Sequence, residues 1–151
     1  MTACVAGLAD PTHIYHWRRL DERTTTSGMP TETELAELQV LGVRHVINLA
    51  PHDHAKALPD EPGSVRQLGM AYTHIPVDFK NPTETDFALF CAALVERQGA
   101  PVHVHCAANY RVSAFFYRYR RSVLGRDDAQ MRDDLLEIWQ PDAVWSAFIE
   151  R

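Results

Sequence analysis

No stretch of the chain approaches the ~20 apolar residues that a membrane-crossing helix requires. Positive charge is in deficit, with 15 Lys and Arg against 20 Asp and Glu, a net charge of −5 and a pI near 5.9. That balance argues against a nucleic acid or an anionic membrane as the main partner, so any anion site has to be built locally. Cysteine is scarce. Cys4, Cys91 and Cys106 lie far apart without paired spacing, which fits a reducing, cytoplasmic setting and not a disulfide framework. The first ten residues lack a basic n-region and are broken by Gly7 and Asp10, so they are not read as a signal peptide. Repeats, low-complexity tracts and linkers are lacking as well.

What the chain does have is apolar content. Of its 151 residues 46% are hydrophobic and 23% charged, enough for one globular domain with a sizeable core. Residues 1–22 read as an N-terminal lead-in, irregular as far as Leu20, that packs one or two of its aromatics on the rest; residues 23–151 read as a single domain. Arg23 to Ser27 is a short strand and Ser27-Gly28-Met29-Pro30 a turn. Thr31 and Glu34 form a capping-box pattern that opens a helix ended by Gly42. Val43 to Leu49 follows as a buried strand, and this strand, helix, strand order predicts a parallel pair.

Ala50 to Pro62 reads as a solvated polar loop carrying His52, Asp53, His54 and Lys56. Glu61 to Leu68 predicts a short helix and Met70 to Val77 a strand. Asn81 and Pro82 then fit the N-cap and first position of a helix that turns Phe87, Phe90, Cys91 and Leu94 inward. Arg126 to Trp139 and Pro141 to Ile149 predict two closing helices. The fold class is therefore α/β, a mainly parallel sheet of four or five strands flanked by helices.

The chemistry gathers at Pro101 to Ser113. Pro101 to His105 alternates as a strand does, and Val112, Phe115, Phe116, Tyr119 and Val123 recur at helical spacing. Between them, free backbone N–H groups and the positive end of a helix dipole converge near Cys106. A helix N-terminus and a guanidinium, here Arg111, favour the thiolate over the thiol. The same amides and Arg111 suit a tetrahedral dianion.

Val-His-Cys, a small-residue loop, then Arg and a hydroxyl residue resembles the phosphate-binding loop of the cysteine-dependent tyrosine and dual-specificity phosphatases. Those families place five residues between Cys and Arg, whereas this chain has four: Ala107, Ala108, Asn109 and Tyr110. Asn109 stands where they have Gly, and Asn is the non-glycine residue that best tolerates left-handed backbone angles. Further segments, from Thr25-Ser27-Gly28-Met29-Pro30 to His74-Ile75-Pro76-Val77-Asp78, resemble a bacterial phosphatase branch related to the beta-lactamase-hydrolase-like proteins, which itself carries the short loop. Four intervening residues also occur in rhodanese-like sulfurtransferases. Sulfur transfer through a Cys106 persulfide thus stays open, as does a phosphate-binding module without turnover.

The resemblance implies metal-independent phosphate-monoester hydrolysis without a cofactor, acting on a phosphorylated small molecule or a phosphoprotein. It assigns Cys106 as nucleophile and Arg111, with the amides of Ala107, Ala108, Asn109, Tyr110 and Arg111, as phosphate binders. Ser113 is expected to hydrogen-bond the sulfur, and His105 to support the loop. Asp78, at a strand end upstream of the Cys, is the expected acid, with Asp53 and Asp86 as rivals. A metal set drawn from His103, His105, His52, Asp53, His54 and Cys106 is disfavoured, because Arg111 would repel a dication.

Overall fold

The structure, a computed structural model, describes residues 9–151; Cys4 and the first eight residues lie outside that range. Five strands form one sheet: β1 (Arg18–Asp21), β2 (Thr24–Ser27), β3 (His45–Asn48), β4 (Ala71–His74) and β5 (Val102–His105), in the order β1-β2-β5-β3-β4. All neighbours are parallel except β1 and β2. The predicted parallel relation of β2 and β3 is present, but β5 is inserted between them, which puts the Cys106 strand at the centre of the sheet.

Among the described residues, six helices cover the sheet: α1 (Glu32–Leu41), α2 (Glu61–Gln67), α3 (Glu84–Glu96), α4 (Tyr110–Ser122), α5 (Asp128–Leu136) and α6 (Ala143–Ile149). Successive side chains of a strand face opposite sides. Val46 accordingly packs with Leu35, Leu38 and Val65, while its neighbour Ile47 packs with Phe90, Phe115 and Phe148. One face of the sheet therefore carries α1 and α2, the other α3 to α6.

Two local expectations change. The stretch read as irregular to Leu20 contains β1, whose partly buried positions are Arg18 and Leu20. An arginine stem serves there as the apolar residue, hiding the alternation. The third helix is capped by Thr83 and not by Asn81: Thr83 Oγ1 accepts the Asp86 N–H and Asp86 Oδ2 accepts the Thr83 N–H, both at 3.1 Å. A reciprocal box satisfies two orphan donors at once. The Asn81 N–H is already spent on Asp78 O, at 2.9 Å. Arg118, on α4, lies on the core side of its helix. It is buried, donates to Glu84 at 2.9 Å and stacks over Phe87 and Phe148.

β5 also carries His103, fully buried. Ser27 Oγ gives its proton to Gly28 O at 2.7 Å, so His103 Nε2–H donates to Ser27 Oγ and His103 Nδ1 accepts from Thr25 Oγ1, each at 2.8 Å. This neutral ring locks β5 to β2. Burial pushes its pKa well below the usual histidine value. Below about pH 6.5 the unfolded chain takes up a proton here that the folded chain refuses, so stability is lost as the pH falls through that value. Each such proton is worth about 1.4 kcal/mol per pH unit. Thermal melts from pH 7 to 5 should show Tm falling, and His103→Gln should flatten the fall by about one proton's share; an unaltered slope in the variant would rule the assignment out.

Candidate active site

Cys106 follows β5 directly, and α4 starts four residues later. The loop between them is polarised. Each of its carbonyls is engaged: Cys106 O by His105 Nδ1 at 3.3 Å, Ala107 O by the Met29 N–H at 3.1 Å, Ala108 O by His16 Nδ1 at 2.7 Å, and Asn109 O by the Ser113 N–H at 2.9 Å. Among the described residues, the amides of Ala107, Ala108, Asn109, Tyr110 and Arg111 meet no acceptor. The other five helices begin with a side chain that accepts an N–H of the first turn; α4 does not.

Asn109 adopts the left-handed conformation, φ 67° and ψ 9°, as its place in the loop predicts. Its side-chain amide donates to His16 O at 2.8 Å and to Thr26 Oγ1 at 3.1 Å, tying the turn to the N-terminal segment and β2. Gly28 makes that approach possible. A Cβ on it would lie 2.6 Å from Ala107 O and 2.7 Å from the Tyr15 ring, inside contact distance.

Arg111 Nε donates to Val77 O at 3.0 Å, and its guanidinium lies over the Phe79 ring at 5.2 Å. Arg111 and the Cys106 loop are thereby joined to the loop after β4, which carries Asp78. Asp78 is exposed, with Oδ1 accepting the Lys80 N–H at 2.9 Å. Of its rivals, Asp86 is consumed by the capping box and Asp53 is exposed on the loop after β3. Cys106 itself is fully buried and belongs to the apolar cluster that carries the aromatic core.

Ser113 is placed differently from expectation. Its hydroxyl donates to Tyr110 O at 3.0 Å and accepts from Trp139 Nε1 at 3.1 Å; with its proton committed to Tyr110, it does not donate to the sulfur. Trp139 stacks on Tyr110 at 4.5 Å between centroids. Neither tryptophan at the site, Trp139 or Trp145, is visible as such in the sequence, because both arrive from the closing helical region.

His105 is buried, and its Nε2 pairs with the buried carboxylate of Glu61. Glu61 also accepts from Asn48 Nδ2 at 3.1 Å, and Asn48 donates on to Tyr72 OH at 3.2 Å. Sequence reasoning missed Glu61, because an acidic residue in a first helical turn is ordinarily a solvated dipole partner. Its signal was position: α2 begins on the sheet face to which His105 points.

The loop after β3 is solvated as expected, with His52, Asp53 and Lys56 exposed, although its histidines have partners. His52 stacks on His74 with centroids 3.8 Å apart and bonds Tyr72 OH at 2.7 Å. His54 Nδ1 accepts the Lys56 N–H at 3.2 Å, while burial and the nearby Arg111 charge push its pKa down. Among the described residues no three His, Cys, Asp or Glu side chains converge on one point as a metal requires; His103 and His105 have other partners.

Residues 15–142 match the family described as DSP-PTPase phosphatase fused to NAD+ kinase. Beta-lactamase hydrolase-like proteins from two Xylella fastidiosa strains, Temecula1 and 9a5c, are each 33% identical over 113 residues, 71% of this chain. The chain spans about a quarter of their length, 25% of each. A DUF442 protein from Shewanella putrefaciens CN-32, named as a candidate phosphatase, superposes with a TM-score of 0.82 at 36% identity, covering 92% of this chain and 91% of that one. The core catalytic domain of the PP-IP phosphatase SIW14 from S. cerevisiae shares the fold, with a TM-score of 0.77 at 13% identity over 91% of this chain and 85% of that one. These matches favour the phosphatase reading over sulfur transfer.

Two measurements probe the site's construction. Glu61→Ala strips a buried partner from His105 and should cost about 3 kcal/mol of stability; a loss under 1 kcal/mol in denaturant titration contradicts the buried pair. Iodoacetate offered to the native protein, with peptide mapping, should modify Cys106 ahead of the partly exposed Cys91, and inorganic phosphate should protect it. Burial keeps the Cys91 thiol protonated, so the opposite order would mean that Cys106 is an inert core residue.

Proposed function

The chain belongs to the DSP-PTPase phosphatase family, and on that footing we propose that it hydrolyses phosphate monoesters without a metal, through a cysteinyl-phosphate on Cys106. The observation that carries this reading is the polarised loop: five consecutive amides with no internal acceptor, between Cys106 and the guanidinium of Arg111. Donors held in advance around a tetrahedral dianion supply charge stabilisation at no cost of reorganisation.

In the first step the sulfur of Cys106 attacks phosphorus and the bond to the leaving oxygen breaks. Asp78, protonated at that moment, gives its proton to that oxygen. In the second step the Asp78 carboxylate takes a proton from water as the water oxygen attacks phosphorus. The S–P bond breaks, and inorganic phosphate and the thiolate are released. Amides 107 to 111 and Arg111 hold the equatorial oxygens throughout. His105 supports the loop through Cys106 O and Glu61. Ser113 reaches the sulfur only by giving up Tyr110 O. The substrate is a small phosphorylated molecule or a phosphoprotein.

The sealed position of Cys106 favours one other outcome, anion binding without turnover. Aryl-phosphate hydrolysis and thiosulfate-to-cyanide sulfur transfer, each with chelator present, separate the readings. Hydrolysis lost at least a hundredfold in Cys106→Ser is expected, with no sulfur transfer. Asp78→Asn should lower kcat/KM for phenyl phosphate by about a hundredfold and leave esters of strongly acidic phenols far less affected. Equal losses on both would remove Asp78 from the mechanism, and phosphate binding with neither activity would leave a binding module.

A further inference from the structure

The two carbonyls flanking Asp78 are both held from behind. Arg111 Nε takes Val77 O, and Trp145 Nε1 donates to Phe79 O at 2.8 Å. Trp145 is fully buried on α6, 66 residues from the carbonyl it binds. Its backbone N–H is accepted by Asp142 Oδ1 at 2.9 Å, fixing the start of the helix. Its ring is wedged among Phe79, Trp139, Phe115 and Phe148, with centroids 5.4 to 6.1 Å away. A ring so enclosed cannot turn without opening the core.

Asp78 has a turn bond from the Asn81 N–H to its own carbonyl, at 2.9 Å, but no anchor from the core. It is exposed, and among the described residues its carboxylate accepts one backbone N–H and makes no ion pair. Where that carboxyl points is therefore decided by the backbone on either side. With Val77 O fixed by Arg111 and Asp78 O by the Asn81 N–H, the remaining carbonyl of the segment is Phe79 O, and the indole N–H fixes it.

We propose that Trp145 is a positioning residue for Asp78, its indole N–H fixing the Phe79 carbonyl and thereby the direction in which the acid meets the leaving oxygen. This rests on the reading of Asp78 as the acid. Proton transfer demands heavy-atom approach of about 2.6–3.2 Å, and displacement by about 1 Å costs up to a hundredfold in rate. The effect falls on the proton-transfer step alone, because the amides and Arg111 that bind phosphate keep their places.

Trp145→Phe deletes the N–H and keeps a ring; 3-benzothienylalanine at position 145 alone keeps the full bicyclic shape and serves if the first variant melts near assay temperature. Either should lower kcat/KM for phenyl phosphate by about tenfold while changing that for an ester of a strongly acidic phenol by less than about twofold. Inhibition by inorganic phosphate should be unchanged, and the double variant with Asp78→Asn should be no slower than Asp78→Asn. Equal loss on both esters, additive loss in the double variant, or no loss at all overturns the role. If Asp78→Asn itself shows no dependence on the leaving group, the underlying acid assignment fails; if it does and the Trp145 variants do not, only the present inference fails.

Discussion

A loop in which every carbonyl is spoken for and five successive amides are not is an unusual electrical object, and the rest of the molecule is arranged to maintain it. Peptide groups cannot turn N–H one way without turning C=O the other. Holding Ala107 O on Met29, Ala108 O on His16 and Asn109 O within α4 therefore keeps the amides facing the opposite side. Left alone, such a loop would relax towards an ordinary capped helix start, which the five other helices have. The left-handed Asn109 opposes this: its Nδ2 is anchored on His16 and Thr26, and in that orientation its Oδ1, the atom that would cap the helix, accepts no N–H of the first turn. The orphan donors are the residual cost, which an anion can offset.

That arrangement needs a stiff floor. His105 stands one residue before the sulfur and bonds its carbonyl, but a buried imidazole needs a fixed partner of its own. Glu61 provides it, and Asn48 and Tyr72 keep the carboxylate from being stranded. Buried charged groups left half satisfied would cost several kcal/mol, so the network spans β3, β4, β5 and α2. Its members lie on the face away from the aromatic core, which leaves that core free to hold Trp139 and Trp145 against the loops on the other side.

The parts of this site governed by short-range chemistry were legible in the sequence. Cys106, Arg111 and the Asn109 turn lie within six residues, and their meaning depends on backbone geometry that residue type alone dictates. The order of β5 between β2 and β3, and the partnership of Glu61 with His105, depend on pairings across 44 residues and more, for which no local pattern exists. The Thr83 cap shows a different failure. Asn81-Pro82 reads as the start in the sequence, but the Thr83 and Asp86 box, which satisfies two donors at once, sets it instead. In β1 the alternation was present but carried by the stem of Arg18, which a count of apolar residues passes over.

The shortened loop has a geometric consequence that ties these observations together. Successive residues on a helix are separated by about 100°. An arginine one position earlier on α4 therefore points about 100° away from where a five-residue spacing would put it, while Ser113, which has not moved, keeps its own direction. In that new direction Arg111 meets Val77 O and the face of Phe79. The displaced guanidinium thus reaches the loop after β4 with Nε. A loop lengthened by one residue would rotate the arginine off Val77 and leave Trp145 as the single side-chain anchor of the segment around Asp78, so the short spacing and the buried indole are two halves of one support.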